Sequence, residues 1–246
     1  LYSNTIGTSN TAVGKSSMRE NITGGYNTAL GVNSLKFNTA GSGNTAIGLD
    51  ALESNTTGSE NSAVGLYSMR SNKDGGGNSS FGFQSLYNND SGSLNSAFGH
   101  DALYSNTKGH ENVGMGKNAL ANNTIGYQNS AIGTSALSNN ITGHINTAIG
   151  YLSLWLNTTG ISNTASGAFA LALNTTGDRN TANGSSSLTS NTTGYLNTAS
   201  GDNSMALNKS GHQNTSTGAY SLFSDTSGYQ NAATGAYSLY RNTNGI

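Results

Sequence analysis

The sequence predicts an all-β fold, a β-solenoid of the β-roll or β-helix kind with about fourteen coils of seventeen residues, and three observations lead there. The first is an unbroken period. Asn10 recurs as Asn27, Asn44 and so on to Asn231, fourteen copies without insertion or deletion. Independent domains joined by loops would tolerate changes of length, so a fixed step means that every copy fills the same physical slot. The second is glycine at the same step in two more columns, Gly14 to Gly235 and Gly24 to Gly245. Two glycines per repeat would cost a helix about 1 kcal/mol each. Collagen is excluded, because glycine is not every third residue and proline is absent. The third is a set of short runs rich in Thr, Val, Ile and Tyr, bounded by Asn and Gly, which read as strands of about three to five residues between tight turns.

Each element of the coil then follows in order. The Asn10 column, and the Asn21 column that only Asp225 interrupts, sit where a short amide can bond its own turn or stack on its copies above and below. The column Ala12, Ala29, Ala46 and onward is always small, as is Ser17, Ser34, Ala51, which predicts interior positions where two backbones approach closely. The Met18, Leu35, Leu52 column, always Leu or Met, supplies one large hydrophobe per coil. Gly14 and Gly24 are expected at turns that need positive φ. Absence of proline leaves every coil able to donate amides to the next. At a strand spacing of about 4.8 Å, fourteen such coils would form a rod about 65 to 70 Å long.

One column divides the chain. Val13, Leu30, Ile47, Val64, Phe81, Phe98, Met115, Ile132 and Ile149 are all apolar, and their successors Ser166, Asn183, Ser200, Thr217 and Thr234 are polar. Because it neighbours the small interior column, alternation along a strand turns it outward. An exposed apolar stripe of that length marks a contact surface, and these nine residues are the candidate oligomer interface. The alternative places the column in the core, with polar ladders filling the later coils. On either reading the array 1–246 is continuous and subdivides near residue 160, into 1–160 with the stripe and 161–246 with the polar ladder. The chain starts and stops within a repeat, which suggests a segment of a longer fibre. One large hydrophobe per coil is too little to order seventeen residues, so coils must stabilise one another, and association of several chains, three around one axis, is the expected partner arrangement.

Composition narrows function. Only 9% of residues are charged and the net charge is −1, which leaves no basic footprint for nucleic acid. No apolar run is long enough to insert this segment into a membrane. Catalysis needs convergent acids, bases or nucleophiles, and the columns offer none, so no enzyme, cofactor or metal site is expected. His110, His144 and His212 share a column but read as surface-turn residues, and carboxylates such as Asp50, Glu53, Asp101 and Glu111 are scattered. Aromatic residues share the column after Leu: Tyr87, Tyr104, Trp155, Phe223 and Tyr240. They form either a ring ladder between coils or a glycan contact surface. Tyr127, Tyr195 and Tyr229 group at a turn.

Segments Asn44-Thr45-Ala46-Ile47-Gly48, Asn61-Ser62-Ala63-Val64-Gly65 and Asn146-Thr147-Ala148-Ile149-Gly150 resemble the head repeats of YadA-like trimeric autotransporter adhesins. The full unit from Gly41 to Thr57 also looks like repeats of bacterial and phage tail-fibre-like proteins. The resemblance implies a β-roll homotrimer, an extracellular place at a cell or virion surface, and an adhesive role toward a cell-surface glycan or receptor. The family repeat is usually fourteen residues, so a seventeen-residue coil must be larger. Two other functions compete with a structural rod. An ice-binding solenoid would use hydroxyls such as Thr28, Thr45, Thr147 and Thr164, and a glycan-binding module would use the aromatic column.

Overall fold

A Thr or Ser (Val113 and Ala232 in two coils), then a small residue, then an apolar or small polar residue gives every coil one stretch that favours extended backbone. The computed structural model, which describes residues 2–245, forms a strand at each of these stretches. By backbone proximity the chain divides into two compact units, Leu1–Gly126 and Tyr127–Ile246. The first holds β1 (Thr11–Val13), β2 (Thr28–Leu30), β3 (Thr45–Ile47), β4 (Ser62–Val64), β5 (Ser79–Phe81), β6 (Ser96–Phe98) and β7 (Val113–Met115). The second holds β8 (Ser130–Ile132), β9 (Thr147–Ile149), β10 (Thr164–Ser166), β11 (Thr181–Asn183), β12 (Thr198–Ser200), β13 (Thr215–Thr217) and β14 (Ala232–Thr234). Within each unit successive strands pair in parallel, each residue opposite the one seventeen positions on, as in Ala29 with Ala46 and Ala182 with Ala199. Both units are parallel β-solenoids, and no described residue is helical.

Main-chain pairing runs well beyond the strands. Leu35 donates its N–H to Ala51 (3.0 Å), Phe37 to Glu53 (3.0 Å) and Thr39 to Thr56 (3.0 Å), so turns as well as strands are bonded coil to coil. This explains a backbone that the sequence does not announce. Every residue of the Met18 column lies in the left-handed region, with φ between 45° and 53°. So do the positions two residues earlier (Ser16, Asn33, Asp50, Tyr67) and the position before the first asparagine (Tyr26, Glu60, Leu94). Such conformations cost non-glycine residues about 1 kcal/mol or more each. They persist because their amides are committed to neighbouring coils: Tyr26 N–H to Thr8 at 2.9 Å, Asn33 N–H to Lys15 at 3.0 Å, and Leu35 N–H to Ala51.

The core is thin and filled as the columns predict. Ala29, Ala46, Ala63, Leu35, Leu52 and Met69 are fully buried, as are Ala148, Ala165, Leu154 and Leu171 in the second unit. Where serine replaces alanine the hydroxyl is satisfied inside: Ser80 Oγ donates to the Ser85 carbonyl (2.9 Å) and receives the Ser68 hydroxyl (2.9 Å).

Both asparagine columns are buried and both build ladders. The Gly41 carbonyl accepts Asn27 Nδ2 (2.9 Å) and Asn38 Nδ2 (2.9 Å), closing the turn of its own coil. Between coils, Asn38 Nδ2 also donates to Asn21 Oδ1 (2.7 Å), and the Asn44 N–H donates to Asn27 Oδ1 (2.9 Å). This corrects the expectation for one glycine column. Gly14 and its copies have φ between 110° and 142°, as expected, but the Gly24 column is not at positive φ. Glycine is required there for space, because a Cβ on Gly41 would press on the Gly58 carbonyl and lie 2.5 Å from Asn38 Oδ1.

Candidate functional site

The small central residue of each strand points inward, so its two neighbours point out. In the first unit Val13, Leu30, Phe81, Phe98 and Met115 are exposed, between 37% and 56%, and Ile47 and Val64 are half-exposed. In the second unit Ile132 and Ile149 are exposed. The stripe is therefore outside the coil, and the core placement of this column is overturned. Phe81 and Phe98 stack in parallel, centroids 5.0 Å apart and planes 3° from parallel. The change to polar residues, from Ile149 to Ser166, falls inside the second unit.

A second apolar column lies two residues on, across the positive-φ glycine: Val32, Leu49, Leu66 and Phe83, all exposed. Sequence reading missed it because the column opens with Lys15 and continues into His100 and Lys117, which hides four consecutive apolar copies. Phe83 continues into a ring cluster, edge-on to Tyr67 (6.3 Å), which is edge-on to Tyr87 (6.4 Å). The first unit therefore presents nine large apolar side chains over five successive coils, from Leu30 and Val32 to Phe98, joined to an aromatic edge.

The candidate glycan residues are placed by the same columns. Tyr87 and Tyr104 stack at 5.2 Å, 11° from parallel, and so do Phe223 and Tyr240 at 5.2 Å and 11°. Stacked rings cover each other's faces and offer edges to solvent, which is the ladder arrangement. Trp155 is exposed, with Ser138 and Ala172 one coil to either side and hence no ring to stack on. The turn histidines and tyrosines, read above as two groups, are one column: His144 stacks on Tyr127 at 4.5 Å, and His212 lies between Tyr195 (4.8 Å) and Tyr229 (5.2 Å).

Scattered charges in the sequence gather in one place in the first unit. Arg70 Nε donates to Glu53 Oε2 (2.8 Å) and lies 3.6 Å from Asp50, its Nη1 reaches Tyr87 Oη (3.0 Å), and Lys36 approaches Glu53 at 3.6 Å. The hydrogen bond to Glu53, then that to Tyr87, hold the Arg70 guanidinium more firmly protonated than usual. The cluster is paired and compensated, and it joins four successive coils. Among the described residues no group of three or more His, Asp or Glu is placed to hold a metal ion, and no helix is long and apolar enough to cross a membrane.

One break interrupts the second asparagine ladder. At Asp225 the amide that should reach Asn208 Oδ1 is missing, and that oxygen is buried without a partner. Asp225 turns onto its own loop, where Oδ1 accepts the N–H groups of Gly228 (2.6 Å) and Ser227 (3.3 Å) and Oδ2 accepts the Asn231 side-chain amide (3.2 Å).

No family model, curated protein or solved structure matches this chain.

Proposed function

We propose that this chain is a non-enzymatic structural segment of a self-associating extracellular fibre, in which three chains pack around one axis through the apolar face of the first unit. The observation that supports this reading most is the doubled column of exposed apolar side chains, Leu30 to Phe98 and Val32 to Phe83, beside a tyrosine edge. A monomer in water keeps such a surface at a cost that burial against another chain removes. A second copy suits it because the face repeats at the coil step, so an identical face meets it residue for residue. The mechanism is mechanical. Within each unit successive coils are bonded by main-chain amides and buried asparagines, and load along a unit is shared among these bonds rather than carried by any one. The likeness of the Asn-Thr-Ala-Ile-Gly units to trimeric adhesin heads and tail-fibre repeats supports an adhesive, surface-displayed role.

Molar mass measured by light scattering across a concentration series tests the proposal. The wild-type chain should give three times its 25.1 kDa mass, and a Val64→Ser/Phe81→Ser/Phe98→Ser variant with unchanged circular dichroism should give a monomer. A wild-type monomer at every concentration would remove the proposal.

A further inference from the structure

The column Asn21, Asn38, Asn55 and onward works as a relay in which each side-chain NH2 serves two acceptors, the glycine carbonyl of its own turn and the Oδ1 of the preceding coil. Asn191 illustrates it, donating to Gly194 O (3.0 Å) and to Asn174 Oδ1 (2.7 Å). Asn208 continues it downward, donating to Asn191 Oδ1 (2.8 Å), while its bond to Gly211 O stretches to 3.3 Å. Asp225 stands next in line with no NH2 to give.

Two acceptors are left short by that substitution. Asn208 Oδ1 is fully buried and unpartnered, and Gly228 O keeps only the Asn214 amide (2.8 Å) of the usual two donors. Beside Gly211, the space that holds the next coil's amide nitrogen at the equivalent glycines holds no atom of Asp225, whose two oxygens instead crowd Gly228. Asp225 is only 1% exposed. Its buried carboxylate, whose Oδ2 accepts the Asn231 amide (3.2 Å), therefore stands where the ladder needs a donor, one coil from an acceptor that lacks one.

We propose that Asp225 is a proton-operated joint in the second unit. As a carboxylate it leaves the asparagine rung between its coil and the Asn208 coil unmade, with main-chain bonds alone joining them along this edge, and as the neutral acid its O–H donates to Asn208 Oδ1 and restores the ladder. In a stack where each coil is held only by its neighbours, one weakened contact sets where the stack opens. The charged groups on the flanking coils do not oppose this. Lys209 and Arg241 are exposed, and His212 is held between two tyrosine rings. Burial pushes the Asp225 carboxyl up, against the lowering effect of the Gly228 and Ser227 N–H groups, and no charged neighbour contributes to its shift. The sign is thus the reverse of the common aspartate case. Stability from the neutral form is fully present below the usual carboxylate range and is lost as pH rises through the higher folded-state value.

Hydrogen exchange of the Met205, Leu207 and Lys209 amides tests this, because their acceptors Ser221, Phe223 and Thr226 lie across the joint. After correction for intrinsic rates, protection in the wild type should rise roughly tenfold on acidification, the worth of one restored buried hydrogen bond. The Leu154 amide, bonded to Ala170 far from the joint, serves as the reference. Asp225→Asn should show the high protection already at neutral pH and no local pH response, and Asp225→Ala should stay low throughout. A carbon-detected titration placing Asp225 at or below the usual carboxylate range, or Asp225→Asn no better protected than wild type at neutral pH, would overturn the joint.

Discussion

Asn27 and Asn38 donate to a single oxygen, the Gly41 carbonyl, from opposite ends of one coil. That shared acceptor ties the start of the coil to its last turn, and the same two residues bond the next coil through their own Oδ1 atoms, which accept from Asn44 N–H and Asn55 Nδ2. Closure of a coil and stacking of coils are therefore one network.

Removing a donor from the middle of that network should be costly. In Asn55→Asp the contacts to Asn38 Oδ1 (2.8 Å) and Gly58 O (2.9 Å) lose their hydrogens and a buried charge replaces an amide. A loss of about 3 kcal/mol is expected in urea unfolding at neutral pH. Lowering the pH should reduce the deficit, since the protonated carboxyl regains one donor. An unchanged midpoint would mean that the ladder is not what holds the coils.

Two glycines should respond differently to alanine. A Cβ on Gly58 would fall on the Gly75 carbonyl and 2.5 Å from Asn55 Oδ1, whereas a Cβ on Gly43 meets nothing nearer than 3.7 Å, in a column that carries Tyr26 and Glu60 in adjacent coils. Gly58→Ala should cost about 3 kcal/mol or more, and Gly43→Ala, whose φ of 69° is left-handed like that of Tyr26 and Glu60, only about 1 to 2 kcal/mol. Thermal melts of both variants decide this, and equal melting temperatures would contradict it.

The single large side chain of each coil carries its packing. Leu103 is fully buried, so Leu103→Ala should destabilise by about 2 to 5 kcal/mol. Met115, on the exposed stripe of the same unit, should cost less than about 1 kcal/mol as Ala when chains are dilute. Chemical denaturation at low concentration measures both, and a larger loss at Met115 would reverse the assignment of inside and outside.

Arg70 draws together two carboxylates, Asp50 and Glu53, and the Tyr87 hydroxyl from neighbouring coils. Arg70→Ala leaves Glu53, whose side chain is 11% exposed, facing only Lys36 at 3.6 Å. A loss of about 1 to 2 kcal/mol is expected, and raising the salt concentration should narrow the gap from wild type. A gap independent of salt would point to lost packing against Tyr67 and Tyr87 instead.

Much of this protein was written in its columns. The unbroken asparagine and glycine steps fix a seventeen-residue coil, the alternation from Ala29 to Leu30 fixes which side is inside, and Tyr87 over Tyr104 follows from the period alone, because a parallel in-register stack places identical positions one above another. Tertiary structure decided what a single coil does not contain. The left-handed φ of Leu35 is held by a bond to Ala51 in the next coil, and the glycine at position 41 answers to an amide and a carbonyl, neither of which is its chain neighbour. The charge cluster at Arg70, the second apolar column at Val32 to Phe83 and the orphaned oxygen of Asn208 likewise exist only once coils are stacked, because each depends on groups that the chain brings together seventeen residues apart.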